Sequence, residues 1–289
     1  MRSMTGYGRR QKVCDGREMT VEVKTVNHRY LDVALRMPRS LGFAEEQVKK
    51  QIAAALRRGH ADVLVTYRNT RADARRVACD PALAAAYRDA MQALSEATGA
   101  ENDVPLWQYA QLPDVLTVTE NEEDREAVGA LLAETLAEAL DEANAMRVRE
   151  GEALKADLTA HLGALETLRQ KIALRAPEVP GEYAARLRQR ISELGVTELD
   201  PQRVLQEVAI FADRAAIDEE LSRLDSHIRQ ARCLMEGEEC GAKLNFLAQE
   251  MNREANTIGS KALDAGIARL VVEAKAEIEK LREQIQNVE

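Results

Sequence analysis

Met19, Val21 and Val23 alternate with Glu18, Thr20, Glu22 and Lys24, and Leu31, Val33, Leu35 and Met37 alternate with Tyr30, Asp32, Ala34 and Arg36. Such period-two alternation marks strands with one buried face. Asp15-Gly16 follows Val13-Cys14 and suits a type I′ turn, so the first two strands are expected to pair antiparallel. Pro38 stops the third strand. Val48, Ile52, Ala55 and Leu56 then recur at helical spacing over 41–57, with Gly59 as a left-handed cap and the helix crossing the sheet. Ala61, Val63, Val65 and Tyr67 predict a fourth strand. Asp80-Pro81 predicts an N-cap with proline at the first helical position, opening a helix that ends near Gly99.

From about residue 121 the spacing becomes helical, with no proline between Pro113 and Pro177. One helix over 121–175 would be about 80 Å long, so the pattern predicts either a break near Gly151 or an extended arm. Leu154, Leu158, Leu165, Leu168 and Ile172 share a stripe, Pro177 and Pro180 make a corner, and Asp200-Pro201 starts another helix. In the last helix Ile267, Val271, Ala274, Ile278, Leu281, Ile285 and Val288 recur at alternating steps of four and three residues. That is a coiled-coil seam, which wants a partner helix in this chain or in another subunit. The expected fold is α+β. An N-terminal antiparallel or mixed sheet with helices (1–120) is followed by a long helical arm or linker helices (121–200). A C-terminal helical domain (201–289) completes the long all-α, coiled-coil-like part.

Charge sharpens this picture. The 289 residues carry 40 Lys and Arg against 49 Asp and Glu, a net charge of −9, yet residues 1–90 hold 18 basic and 10 acidic side chains. A basic third in an acidic chain suits contact with a polyanion, and equally a surface facing an acidic neighbour. With 3% aromatics, the core is expected to be aliphatic helix packing. No apolar run approaches the roughly 20 residues of a membrane span, and the start lacks the apolar stretch of a secretory signal, so the cytoplasm is the expected location. Cys14, Cys79, Cys233 and Cys240 have no metal-site spacing and read as free thiols.

Polar chemistry concentrates between Arg203 and Lys261. Ile217, Leu221, Leu224, Ile228 and Met235 form one core stripe, flanked by Glu220, Arg223 and His227. Leu244, Leu247, Met251, Ala255 and Ile258 form another, flanked by Glu250, Glu254 and Thr257 with Arg253 beyond. If the Cys240-Gly241 loop makes a hairpin, Glu220, His227, Glu250 and Glu254 could converge on Mg²⁺ or Mn²⁺, since hard cations take carboxylate oxygen and Mn²⁺ accepts imidazole. The same residues equally suit interhelical ion pairs with His227 at the core edge. In the N-terminal third, Lys24, Asn27, His28 and Arg29 cluster where the alternation breaks at Thr25-Val26, suiting a phosphate contact or a solvated turn. Neither a G-x-S-x-G elbow nor a G-x-x-x-x-G-K-[ST] loop is present, although Gly6 and Gly8 superficially suggest the latter. His161 lies near a helix seam with no nameable partner.

Three sets of strings carry a resemblance. They are Arg2-Ser3-Met4-Thr5-Gly6-Tyr7-Gly8, then Val26-Asn27-His28-Arg29-Tyr30-Leu31-Asp32 with Arg36-Met37-Pro38, and the C-terminal third. There the strings are Asp218-Glu219-Glu220-Leu221-Ser222-Arg223-Leu224-Asp225-Ser226-His227, Gln249-Glu250-Met251-Asn252-Arg253-Glu254 continuing to Ser260-Lys261, and Arg282-Glu283-Gln284-Ile285-Gln286-Asn287-Val288-Glu289. Together they resemble the bacterial YicC/YloC family. The resemblance implies a cytoplasmic endoribonuclease that cuts single-stranded RNA, including small regulatory RNAs, with a divalent cation, and that assembles as a homohexamer. Two positions depart from the family pattern: Ala216 stands where an acidic residue is usual, and His60 where lysine is usual.

The resulting expectation is a metal-dependent endoribonuclease. Its catalytic residues would be His227, Glu220, Glu250 and Arg253, and its metal ligands Glu220, His227, Glu250 and Glu254 (Mn²⁺ or Mg²⁺). RNA would be bound by Lys24, Asn27, His28, Arg29, Arg36 and Lys261. Metal-activated water would attack the phosphodiester, or the RNA's own 2′-hydroxyl would attack with His227 as base. No membrane or DNA partner is expected. The alternative is a non-catalytic oligomeric RNA-binding scaffold that presents RNA to other nucleases.

Overall fold

The computed structural model describes residues 1–195, 200–237 and 240–289. β1 (Gly6–Cys14) and β2 (Arg17–Val26) form the expected antiparallel hairpin, with Asp15 and Gly16 at φ 47° and 68° in its turn. β2 pairs antiparallel with β4 (Gly59–Asn69), and β4 pairs parallel with β3 (Leu31–Arg36), in sheet order β1-β2-β4-β3. A parallel step requires a crossover. A 3₁₀ turn at Arg39–Ala44 and α1 (Glu45–Ala55) provide it. Gly59 does not cap α1 as expected: Leu56 is already extended and buried, and the positive φ of Gly59 opens β4 instead. β5 (Arg75–Cys79) and β6 (Leu116–Glu120) form a separate ribbon enclosing α2 (Pro81–Thr98) and α3 (Leu106–Tyr109). As expected, α2 is capped by Asp80, begins with Pro81 and ends at left-handed Gly99.

α4 (Arg125–Arg175) runs unbroken for 51 residues, about 77 Å. It serves two cores. Val128, Leu132, Leu136, Ala139, Leu140 and Ala143 pack with β2, β4 and α1. Leu154, Leu158, Leu162, Leu165 and Ile172 pack with the C-terminal helices. Gly151 does not break the helix; it admits the start of the chain, because a Cβ there would lie 2.6 Å from the Met1 carbonyl oxygen and 2.8 Å from Arg2 Cα. Likewise a Cβ on Gly8 would lie 2.1 Å from the Ala139 carbonyl oxygen, so glycine lets β1 lie directly on α4.

Beyond Arg175 a 3₁₀ turn at Ala176–Glu178 leads to α5 (Val179–Glu193) and α6 (Pro201–Ala215), joined by Tyr183 stacked on Phe211 at 3.9 Å between ring centroids. α7 (Asp218–Leu234), α8 (Gly241–Lys261) and α9 (Ala265–Ile285) then pack on the second half of α4. Their stripes are the expected ones. The last seam, however, is filled within the chain: Ile267, Val271, Ala274, Ile278, Leu281, Ile285 and Val288 are all buried in the core that α9 forms chiefly with α4 and α8. The seam therefore builds the monomer's core and is not the route to assembly, because its apolar face is already out of water.

Both described chain ends meet on α4. Ser3 bridges Val288, the Met4 N–H donates to Asn287 O (2.8 Å), and the Glu289 N–H donates to Arg2 O (3.0 Å). Beneath them lies Arg147, 1% exposed. Its Nε donates to Ser3 O (2.9 Å), its Nη1 to Asn144 Oδ1 (3.0 Å), and its Nη2 lies 3.0 Å from the Glu289 carboxylate.

Ile278→Ala is expected to cost about 2 to 5 kcal/mol of folding stability, read as a lowered denaturant midpoint, with the particle mass in solution unchanged. A changed mass at parental stability would return the seam to a subunit interface.

Candidate nucleic-acid interface

α7 and α8 pack antiparallel, since Glu220 in the first turn of α7 meets Lys261 in the last turn of α8 at 2.6 Å. Their apolar stripes face α4 and α9, which leaves the flanking polar residues as a ridge at the edge of the core. Glu220 and Glu254 are buried, Glu250 and His227 half-buried, and Arg223 and Arg253 exposed. Arg223 pairs with Glu219 and lies 3.9 Å from Glu254, and Arg253 pairs with Glu250. Towards α4, Asp225 meets Arg169 (3.4 Å) and Arg232 meets Glu166 (2.7 Å). Burial opposes the charge on Glu220. The hydrogen bond from Lys261, a backbone N–H, and the charges of Lys261 and Arg223 outweigh that burial and hold its carboxyl below the usual range.

The four expected metal donors do not form one coordination sphere. Glu220 and His227 are seven residues apart on α7, about 10 Å along its axis, whereas cation–ligand distances are about 2.0–2.6 Å. Glu220 also faces Lys261, and the antiparallel register sets His227 nearer to Glu250 than to Lys261. Among the described residues, no group of three or more His, Cys, Asp or Glu side chains is placed to hold a metal ion. Nδ1 of His227 is buried without a hydrogen-bond partner, a feature that suits a ligand, but the donors around it do not fit a single ion. Ala216 is exposed at the C-cap of α6, just before the start of α7. His161, which had no nameable partner, bonds Glu277 at 2.7 Å.

The expected RNA-binding residues divide between the two halves of the chain. Lys261 belongs to the ridge. Lys24, Asn27, His28 and Arg29 are exposed at the end of β2 and beyond it, and Arg36 is exposed on β3, 4.0 Å from Asp62. Arg29 lies over the exposed ring of Tyr30, 5.2 Å from its centroid. Sequence reading missed what surrounds His28. Its Nδ1 faces Tyr30 O (3.0 Å), Arg58 Nε donates to its carbonyl (3.0 Å), and the ring of His60 lies 6.4 Å away, centroid to centroid. Nδ1 of His60 in turn bonds Asp32 (2.8 Å). The parallel β3–β4 register pairs Asp32 with His60, a neighbourhood that no local pattern announces.

The two-part architecture, an α+β half with exposed cations at one sheet end and a cation-edged helical hairpin, has its counterpart in similarity to known proteins. The description "Endoribonuclease YicC-like, N-terminal region" matches residues 1–156, and "Endoribonuclease YicC-like, C-terminal" matches residues 172–289. The chain belongs to the endoribonuclease YicC-like family. It is 37% identical over 290 residues to the probable endoribonuclease YicC of Clostridioides difficile (strain 630) and 32% identical over 288 residues to that of Haemophilus influenzae, in each case across 99% of both chains.

Lys261→Met leaves the Glu220 carboxylate buried without its cation and is expected to cost about 1 to 3 kcal/mol near neutral pH. Because the folded pKa of Glu220 is depressed, the lost stability is present above the unfolded value of about 4.3 and vanishes as pH falls through the folded value. The stability curves of the two proteins should therefore converge in acid. A gap unchanged down to that range would contradict the pairing.

Proposed function

We propose that this chain is an endoribonuclease that cuts internal phosphodiester bonds of single-stranded RNA, small regulatory RNAs included. Full-length similarity to probable endoribonucleases in two organisms carries the reading. The geometry supports it with two cationic surfaces. On the ridge, Arg223, Arg253 and Lys261 each keep an exposed or half-exposed end while holding a carboxylate, so a phosphate can take the place of Glu219, Glu250 or Glu220 as partner. At the sheet end, Arg29 lies over the exposed ring of Tyr30, on which a base can stack, Arg58 is tied to the nearby His28 carbonyl, and Lys24 is exposed at the end of β2. His227 is the ridge's proton-transferring group. Glu220, Glu250 and Arg253 hold its electrostatic surroundings.

Mn²⁺ and Mg²⁺ enter the proposal as variables to test, since the four donors do not suit one ion within a single chain. Assembly as a homo-oligomer, a hexamer by resemblance, would use surfaces other than the α9 seam. α2 buries none of its residues, and Leu205 and Ile210 of α6 are exposed. Among the described residues, no helix is long and apolar enough to cross a membrane. Pairing of Glu220, Glu250 and Glu254 with cations is the observation that favours the second reading, a non-catalytic RNA-binding scaffold.

Purified protein is expected to cut an end-labelled single-stranded RNA internally, assayed with Mn²⁺, with Mg²⁺ and with EDTA. Arg253→Ala and Lys261→Ala should each weaken RNA binding and lower the salt slope by about 1. Glu220→Ala, Glu250→Ala and His227→Ala should impair cleavage. Salt-sensitive binding with no cutting under any condition would replace the nuclease reading by the scaffold.

A further inference from the structure

β3 stops at Arg36, opposite Leu64, while β4 runs on to Asn69, so the last residues of β4 have β2 on one side and no strand on the other. The turn after β4 leads directly into β5. A cavity of about 680 Å³ lies between the end of β4, that turn, the start of β5, the end of β6 and the approach to α4, with Ser40 of the 3₁₀ turn on its lining. Sites for small organic ligands span about 300–1,000 Å³.

Part of the wall is already committed. Glu123 accepts from Tyr67 Oη (2.7 Å), from Asn69 Nδ2 and from Nε of the buried Arg17 (3.1 Å). Burial opposes the charge on Glu123, but these hydrogen bonds outweigh it and hold the carboxyl below its usual range. Arg71 is clamped by Asp73 through Nε and Nη2 (2.9 and 2.7 Å), and its backbone N–H donates to Asn69 Oδ1 (2.9 Å). Three other charged side chains on the lining are uncommitted. Among the described residues, Arg68, Arg75 and Glu120 make no side-chain hydrogen bond or ion pair, and all three are exposed. Glu18, opposite Arg68 on β2, accepts from Gln11 instead. Arg75 and Glu120 are register partners in the ribbon, so their side chains leave the same face.

Two free guanidiniums suit a phosphate, whose oxygens accept from planar forks of N–H donors. A free carboxylate beside them repels a second anionic group and accepts from hydroxyls, the way acids elsewhere read the ribose of a nucleotide. We propose that this cavity binds a ribonucleoside 5′-monophosphate, with Arg68 and Arg75 on the phosphate and Glu120 on the ribose 2′-hydroxyl. In such a ligand the phosphate and the 2′-hydroxyl lie at opposite ends of the ribose, so the cations and the acid are not forced onto one group. The network of Arg17, Tyr67, Asn69, Arg71 and Glu123 fixes the wall in advance, which limits the ordering that binding must impose. Binding here is independent of the endoribonuclease reading, since no bond is broken. A free nucleotide and the 5′-phosphorylated end of an RNA strand offer the same chemistry.

The test is calorimetric titration of the full-length protein with adenosine, guanosine, cytidine and uridine 5′-monophosphates, with their 2′-deoxy forms, with inorganic phosphate, and with an RNA dinucleotide bearing a 5′-phosphate or a 5′-hydroxyl. At least one ribonucleotide is expected to saturate a single site, more tightly than inorganic phosphate and about 10-fold more tightly than its 2′-deoxy form. Arg68→Ala and Arg75→Ala should each weaken it about 10- to 100-fold, and Glu120→Ala should erase the preference for ribose. Arg76→Ala, an exposed β5 position off the cavity lining, should leave the affinity parental, and circular dichroism should be unchanged in all variants. A phosphorylated dinucleotide that outcompetes the mononucleotide, its 5′-hydroxyl form failing to bind this site, supports the proposal with an RNA end as the ligand. A mononucleotide that binds the more tightly supports it with a free nucleotide. No saturable binding of any nucleotide or of the phosphorylated dinucleotide, affinity no better than that of inorganic phosphate, or an equal loss in Arg76→Ala would overturn the site.

Discussion

Everything in this chain hangs on one helix and on what holds its middle. α4 is long enough to serve two cores, and between Ala143 and Leu154 it leaves one and enters the other. A single helix across such a junction would bend or fray if the junction were wet. Arg147 and Gly151 prevent that, the first by reaching Ser3 and Glu289, the second by letting residues 1 and 2 lie against the helix backbone. A guanidinium this deeply buried is costly unless it is partnered; the Ser3 carbonyl and the Glu289 carboxylate come from the two described ends of the chain, and the Asn144 amide oxygen from α4 itself. The first family description, covering 1–156, contains Ser3, Arg147 and Gly151, and the second, covering 172–289, contains Glu289.

The clasp has a functional consequence. Because the sheet and the helical hairpin share α4, the exposed cations at the sheet end and the ridge on α7 and α8 are carried by one scaffold. On the ridge, Glu220, Glu250 and Glu254 are each matched to a cation, and the apolar residues beside them are committed to the core.

Much of the fold was legible. Residues 19, 21 and 23 alternate cleanly because the opposite face of the sheet meets water, and Asp15-Gly16 marks its turn by backbone chemistry alone. The stripes of α7, α8 and α9 are equally plain, because each helix buries one face. β5 and β6 were not read as strands, because both are short and exposed: Leu116 and Val118 alternate with Thr117 and Thr119 in β6, but no face of that ribbon is buried. Periodicity also could not say where the α9 seam finds its partner, nor that Gly151 serves close approach and not a break. For the site, spacing correctly put Glu220 and His227 on one face but was silent about axial distance and about Lys261 arriving from the far end of α8. The neighbourhood of His28, His60 and Asp32 depends on a parallel strand pairing, a non-local fact.

Native-state hydrogen exchange across residues 140–155 tests the central claim most directly. If the clasp joins the two cores into one unit, these amides exchange only through global unfolding, at the same free energy as the sheet core and the α9 seam. Exchange at the middle of α4 that is faster than in either core, or two separate unfolding energies for the halves, would contradict it.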